Sequence, residues 1–123
     1  MKSNYLKPNQ ICLSPIAFLQ LEGCFNHIKQ LFCISKQIDN DNMTEQFENM
    51  LSIMESIAEI YCLHTSKTKM VEIDKISNII TQIKYINFDM WTENIRISIE
   101  QENHISKAIH SLNLILQYKH DIE

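Results

Sequence analysis

A chain of 123 residues with a single glycine, Gly23, has few ways to build tight hairpins. Two-residue β-turns require positive φ, which glycine adopts without steric cost, so hairpin-rich proteins carry many glycines. Only two prolines add to the breakers, and the expected fold is therefore helical, with asparagine and aspartate supplying the turns. Hydrophobic residues make up 45% of the sequence. A domain of this length buries roughly two thirds of its unfolded surface, so neither a disulfide nor a cofactor is needed to hold it together.

The apolar spacing predicts four helices. Residues 1 to 13, with Pro8, read as an extended N-terminal arm. Ser14-Pro15 is an N-cap followed by proline at the first helical position, where the missing N–H is harmless. From there a first helix is expected to about Ile38, with Ala17, Leu21, Cys24, Ile28, Leu31, Phe32 and Ser35 on one side and Phe18 and Phe25 on its flank. Asp39 to Asn42 form a polar loop, and Asn42 with Glu45 resembles a capping box that starts a second helix near Met43. Its inward face is Phe47, Met50, Leu51, Met54, Ile57, Ala58 and Tyr61. After a polar connection at residues 64 to 68, Ile73, Ile76, Ile79, Ile80, Ile83 and Ile86 mark a third helix. Asn87-Phe88-Asp89 offers a boundary before a long fourth helix defined by Trp91, Ile95, Ile105, Ala108, Ile109, Leu112, Ile115 and Leu116. Ile95 to Ile99 alternate as a strand would, but a strand there has no partner, and Asn103 offers a cap that would split the last helix in two. The expected architecture is all-α, an antiparallel four-helix bundle with short polar loops forming one domain over residues 1 to 123, or five helices if the last is split.

The net charge is −4 and Arg96 is the one arginine. Base readout and bidentate phosphate clamps depend on arginine, so no nucleic-acid partner is expected. No run approaches the roughly 18 to 20 apolar residues of a membrane span, and no membrane partner is expected. Cys12, Cys24, Cys33 and Cys62 read as reduced thiols of a cytoplasmic protein, since the apolar content makes cross-links unnecessary.

Several stretches could carry chemistry. Leu21-Glu22-Gly23-Cys24 has the outline of a lipid-anchor cleavage box, but Glu22 occupies a position that requires a small uncharged residue. Cys24 with His27 and Cys62 with His64 could supply four zinc ligands. A helical hairpin turning near Asn40 would leave Cys62 roughly 7 to 8 Å from Cys24 along the axis, too far for bonds of about 2.0 to 2.3 Å. No metal site is therefore expected. Cys33 is predicted to face solvent, with no histidine beside it in sequence to act as a base.

From Gln37 to Ser66 there is no lysine or arginine, while Glu45, Glu48, Glu55 and Glu59 fall on one helical stripe opposite Met50, Ile57 and Tyr61. A solvated helix gains from mixing signs three and four residues apart, and this stripe forgoes that gain. Lys67, Lys69 and Lys75 lie nearby to balance it. The functional reading is an acidic ridge that attracts and docks a basic partner surface. Ile53, Ile60, Ile97 and Ile99 fall outside the main apolar stripes, which suits a dimer or partner interface.

Two resemblances complete the reading. His104-Ile105-Ser106-Lys107-Ala108 resembles the phosphotransfer-histidine signature of bundle-type relay domains, although that family's usual glycine is absent. It implies, as the alternative function, phosphoryl transfer at His104; otherwise His104 is a solvated residue at a helix start. Arg96 and His104 also look like the Arg-then-His pair of toxin-related helical ribonucleases, but seven residues separate them where the motif has four to six, and the match is taken as chance. In size, helical class and composition the chain is similar to the small helical inhibitor of ubiquitin-deamidating effectors of intracellular bacterial pathogens. That likeness implies a papain-like cysteine enzyme as partner and a homodimer when free. The expected function is thus a non-enzymatic protein-binding module that inhibits or regulates a partner enzyme by occluding its active cleft, with Glu45, Glu48, Glu55 and Glu59 as partner-binding residues and no cofactor.

Overall fold

The computed structural model describes residues 9–36, 44–86 and 95–117. Among them the chain is mostly helical, with four α-helices and one small two-stranded sheet. The first helix, α1 (Pro15–Ser35), begins as its sequence dictates: Ser14 is extended and its Oγ accepts from the Ala17 N–H at 3.2 Å. Proline at the first position leaves no orphan donor there. The helix α1 ends at Ser35, three residues short of the expected Ile38.

The second helix, α2 (Thr44–Tyr61), agrees with the expected start near Met43. Its last carbonyls are closed by a 3-10 turn, Cys62–Thr65. There the His64 ring Nδ1 donates to the Tyr61 carbonyl at 2.9 Å, and the Thr65 hydroxyl donates to the Cys62 carbonyl at 3.2 Å. The predicted loops at Asp39 to Asn42 and Asn87 to Asp89, together with Trp91, lie outside the described residues.

A small sheet, not expected from the sequence, joins the extended arm to the segment between the polar connection and the third helix. Strand β1 (Gln10–Cys12) pairs antiparallel with β2 (Met70–Glu72), with Ile11 opposite Val71. The Leu13 N–H extends the ladder to the Lys69 carbonyl at 2.7 Å. Ile11, Leu13 and Val71 are buried, so the pairing carries two otherwise peripheral segments onto the core. It also positions the third helix, α3 (Ile73–Lys84). No side chain caps that helix, and the N–H of Ile73 donates instead to the Asn9 carbonyl at 2.7 Å. This strand contact does the work of an N-cap.

The last helix, α4 (Ile95–Gln117), is one long helix continuous through Asn103, so the alternative of a split there does not occur. Ile95 to Ile99 are helical, as the lack of a strand partner required. Helix α1 packs against both α2 and α4, and α3 packs against the same two helices. Because α2 touches α1 on one side and α3 on the other, its buried arc is wide. Ile53 and Ile60, expected at an interface, therefore lie in the core. Ile99 does remain exposed, at 60%.

Candidate protein-binding face

Helix α2 presents Glu45, Glu48, Ser52, Glu55 and Glu59 to solvent, while Met50, Ile53 and Ile57 are buried on the opposite side. The four glutamates therefore occupy the ridge that their spacing predicted. Among the described residues none of the four carboxylates has an ion-pair partner. Lys69, expected to help balance them, donates to the Ser66 carbonyl at 3.1 Å. Glu59 instead faces Lys75 across a small cleft of about 160 Å³ between α2 and α3.

Beside the ridge, on the α1 side, lies a solvent-open apolar cleft of about 330 Å³. Leu21 and Phe25 of α1 and Ile57, Ala58 and Tyr61 of α2 line it, with the exposed Glu22 and Cys62 at its edge. The cleft exists because aromatic contacts hold the two helices together near their ends. Phe18 meets Tyr61 edge-on at 6.1 Å between ring centroids, and Phe32 meets Phe47 at 5.2 Å. Between these contacts the small Ala58 stands opposite Phe25 and leaves a gap. The Tyr61 hydroxyl donates to a Glu22 carboxylate oxygen at 3.5 Å, a long contact at the cleft's end. Leu51, one heptad before Ala58, is 51% exposed and continues the apolar surface along α2. Ridge and cleft thus share one helix: apolar toward α1, acidic outside it.

The cysteines and histidines divide as follows. Cys24 is fully buried on α1, and burial pushes its thiol up to about 12, which leaves no thiolate at neutral pH. This inert thiol is the residue that an anchor or a zinc site would have needed. Cys33 and Cys62 are exposed. The four residues of the zinc reading point apart, since His27 turns to α4 and His64 caps α2. Among the described residues no group of three or more His, Cys, Asp or Glu side chains converges. No helix among them is long and apolar enough to cross a membrane.

His104 departs from its expected place as a solvated residue at a helix start. Because α4 begins at Ile95, His104 lies well inside the helix, three residues after buried Gln101 and four before buried Ala108. It is half-buried, not solvated at a helix start. His27 holds the matching position on α1, three residues after Cys24 and four before Leu31. The two rings meet across the seam, with Nδ1 to Nδ1 at 3.0 Å and centroids 5.3 Å apart. One nitrogen donates and the other accepts, so the contact needs at least one neutral ring. Each position lies at the edge of a buried stripe, but the pairing is visible only once α1 and α4 are known to be neighbours.

Burial holds both imidazoles below their ordinary value near 6.5. For His27 the charges of His104 and Lys107 add to that; for His104 the carboxylate of Glu100 pulls the other way and Lys107 again lowers it. The unfolded chain then binds more protons than the folded one as pH falls below about 6.5. Stability from this pair is complete above that pH and is lost as pH falls through the folded values. Thermal unfolding between pH 7.5 and 5 is expected to show a falling Tm in the wild type and a flatter profile in His27→Gln/His104→Gln. An unchanged slope in the double variant would assign the pH dependence to other groups.

The chain matches no protein-family model, and comparisons with curated proteins and with solved structures find no match.

Proposed function

We propose that the chain is a protein-binding module, an antiparallel four-helix bundle that regulates a partner enzyme by covering its active cleft. The observation that carries this is the joint face of α2, where the apolar cleft of about 330 Å³ runs beside four exposed glutamates, none of them ion-paired among the described residues. The division of labour follows from physics. An apolar or aromatic side chain of the partner seated between Phe25 and Ala58 would supply most of the affinity. The acidic ridge would raise the encounter rate with a basic surface and fix the orientation of docking. The likeness in size, class and composition to an inhibitor of ubiquitin-deamidating effectors supports a papain-like cysteine enzyme as that partner, with a homodimer as the free state.

The test starts from a partner captured by cross-linking and identified, then measured in purified form. Two variants separate the parts of the face. Changing Glu45, Glu48, Glu55 and Glu59 together to Gln is expected to lower affinity about tenfold at low salt, mainly through slower association, with the difference shrinking as salt rises. Ala58→Arg, which fills the cleft with a charge at an exposed position, is expected to weaken binding about tenfold at every salt concentration. A partner that binds wild type and Ala58→Arg equally would remove this face from the function. Equal binding by the Gln variant alone would remove only the ridge.

A further inference from the structure

The histidine pair on the α1/α4 seam brings two imidazole nitrogens from different helices to a separation that one metal ion could also span. Two imidazole nitrogens bound to one transition-metal ion at about 2.0 to 2.1 Å and separated by 3.0 Å subtend an angle of about 94° at the metal. A tetrahedral ion would hold them about 3.35 Å apart, so the observed spacing is closer to adjacent positions of a tetragonal or octahedral ion. We propose that His27 and His104 form a two-histidine site for a divalent transition-metal ion of the copper(II) or nickel(II) kind, held through both Nδ1 atoms in adjacent positions.

Three observations support the assignment. The two ligands come from different helices, and each backbone is fixed by fully buried neighbours, Cys24 and Leu31 on α1 and Gln101 and Ala108 on α4. The bite is therefore set by packing before any ion arrives. The two Nδ1 atoms already face one another across the seam, and the one bridging proton need only move to the far nitrogen of its ring for both to act as ligands. Half-exposure of both rings leaves room for water to complete the coordination shell. No third protein ligand converges among the described residues, so the remaining positions are open to water or an added ligand. The nearby charges oppose each other: Glu100, one turn before His104 on α4, favours a cation, and Lys107, one turn after, disfavours it. Such a site binds more weakly than a closed four-ligand centre.

The test is calorimetric titration of the whole chain with Ni²⁺ at pH 7.5 in a non-coordinating buffer. One ion per chain is expected, with affinity at least tenfold lower in His27→Gln and in His104→Gln. Circular dichroism without metal checks that each variant is folded. A measurement on the wild type alone covers the case where one is not: paramagnetic Ni²⁺ should broaden the imidazole resonances of His27 and His104 before those of the exposed His64 and His110. Equal binding by wild type and both variants, broadening that begins at His64 or His110, or no binding at millimolar Ni²⁺ would each overturn the site.

Discussion

Ile28→Ala is expected to remove about 3 to 5 kcal/mol of folding stability, the upper part of the range for Ile or Leu truncations in a core. Ile28 is fully buried on α1, the helix that packs on both α2 and α4. The void left by its lost carbons would be walled by neighbours that are themselves buried and fixed in rotamers, so the site has little room to collapse. Leu21, one heptad earlier on the same buried face, is equally inaccessible but forms part of the floor of the α1/α2 cleft. Its truncation would enlarge a space already open to water, and about 2 to 3 kcal/mol is expected. Leu51→Ala, on the exposed shoulder of that cleft, should stay within about 0.5 kcal/mol. For a domain whose total stability is of order 5 to 15 kcal/mol, Ile28→Ala approaches the limit of folding. Urea denaturation of the three variants at a common pH gives the order directly. Equal losses for Ile28→Ala and Leu51→Ala would contradict the assignment of inner and outer faces.

What could be read from the sequence was what is decided locally. Ser14-Pro15 starts α1 because both residues act within one turn, and α2 is found because its apolar period and its acidic stripe are properties of one helix. The β1–β2 pairing could not be found that way. Each strand has three residues, and nothing within Gln10 to Cys12 says that a partner waits at Met70. Ile11 and Leu13, which alternate inward, were the available signal, and the surrounding polar residues obscured it. A single apolar stripe as the core side leaves Ile53 and Ile60 for a partner interface; α2 has two helical neighbours, and both residues pack inward. The same limit applies to the candidate sites. The glutamates were legible as a ridge, whereas the cleft beside them depends on Ala58 standing opposite Phe25. The His27–His104 contact depends on the α1/α4 pairing, which joins residues 77 apart in sequence.

The second large effect concerns the other polar contact on that seam. Ser35 and Gln101 are both fully buried, and the Gln101 amide donates from Nε2 to the Ser35 hydroxyl at 3.0 Å, while its Oε1 has no partner among the described residues. The pair is thus half-satisfied, and such pairs are costly to break but not costly to remove. Ser35→Ala would leave the whole Gln101 amide buried without a partner, and a loss of about 1 to 3 kcal/mol is expected. Gln101→Leu should cost less, because the freed hydroxyl of Ser35 can turn back to a carbonyl of its own helix. The double variant, Ser35→Ala with Gln101→Leu, replaces both polar groups with apolar ones of similar volume and is expected to match or exceed the wild type. A denaturation cycle over the four proteins should therefore show a coupling of about 1 to 3 kcal/mol, and additive losses would contradict the account. Stability is then not what the pair contributes. A buried polar pair of this kind can specify the register of one helix on another, and His27 lies about 12 Å from Ser35 along the same helix at 1.5 Å per residue. If the pair sets that register, the double variant will keep its stability while its Ni²⁺ affinity falls and its Tm responds less to pH, because the two imidazoles no longer meet at a fixed distance.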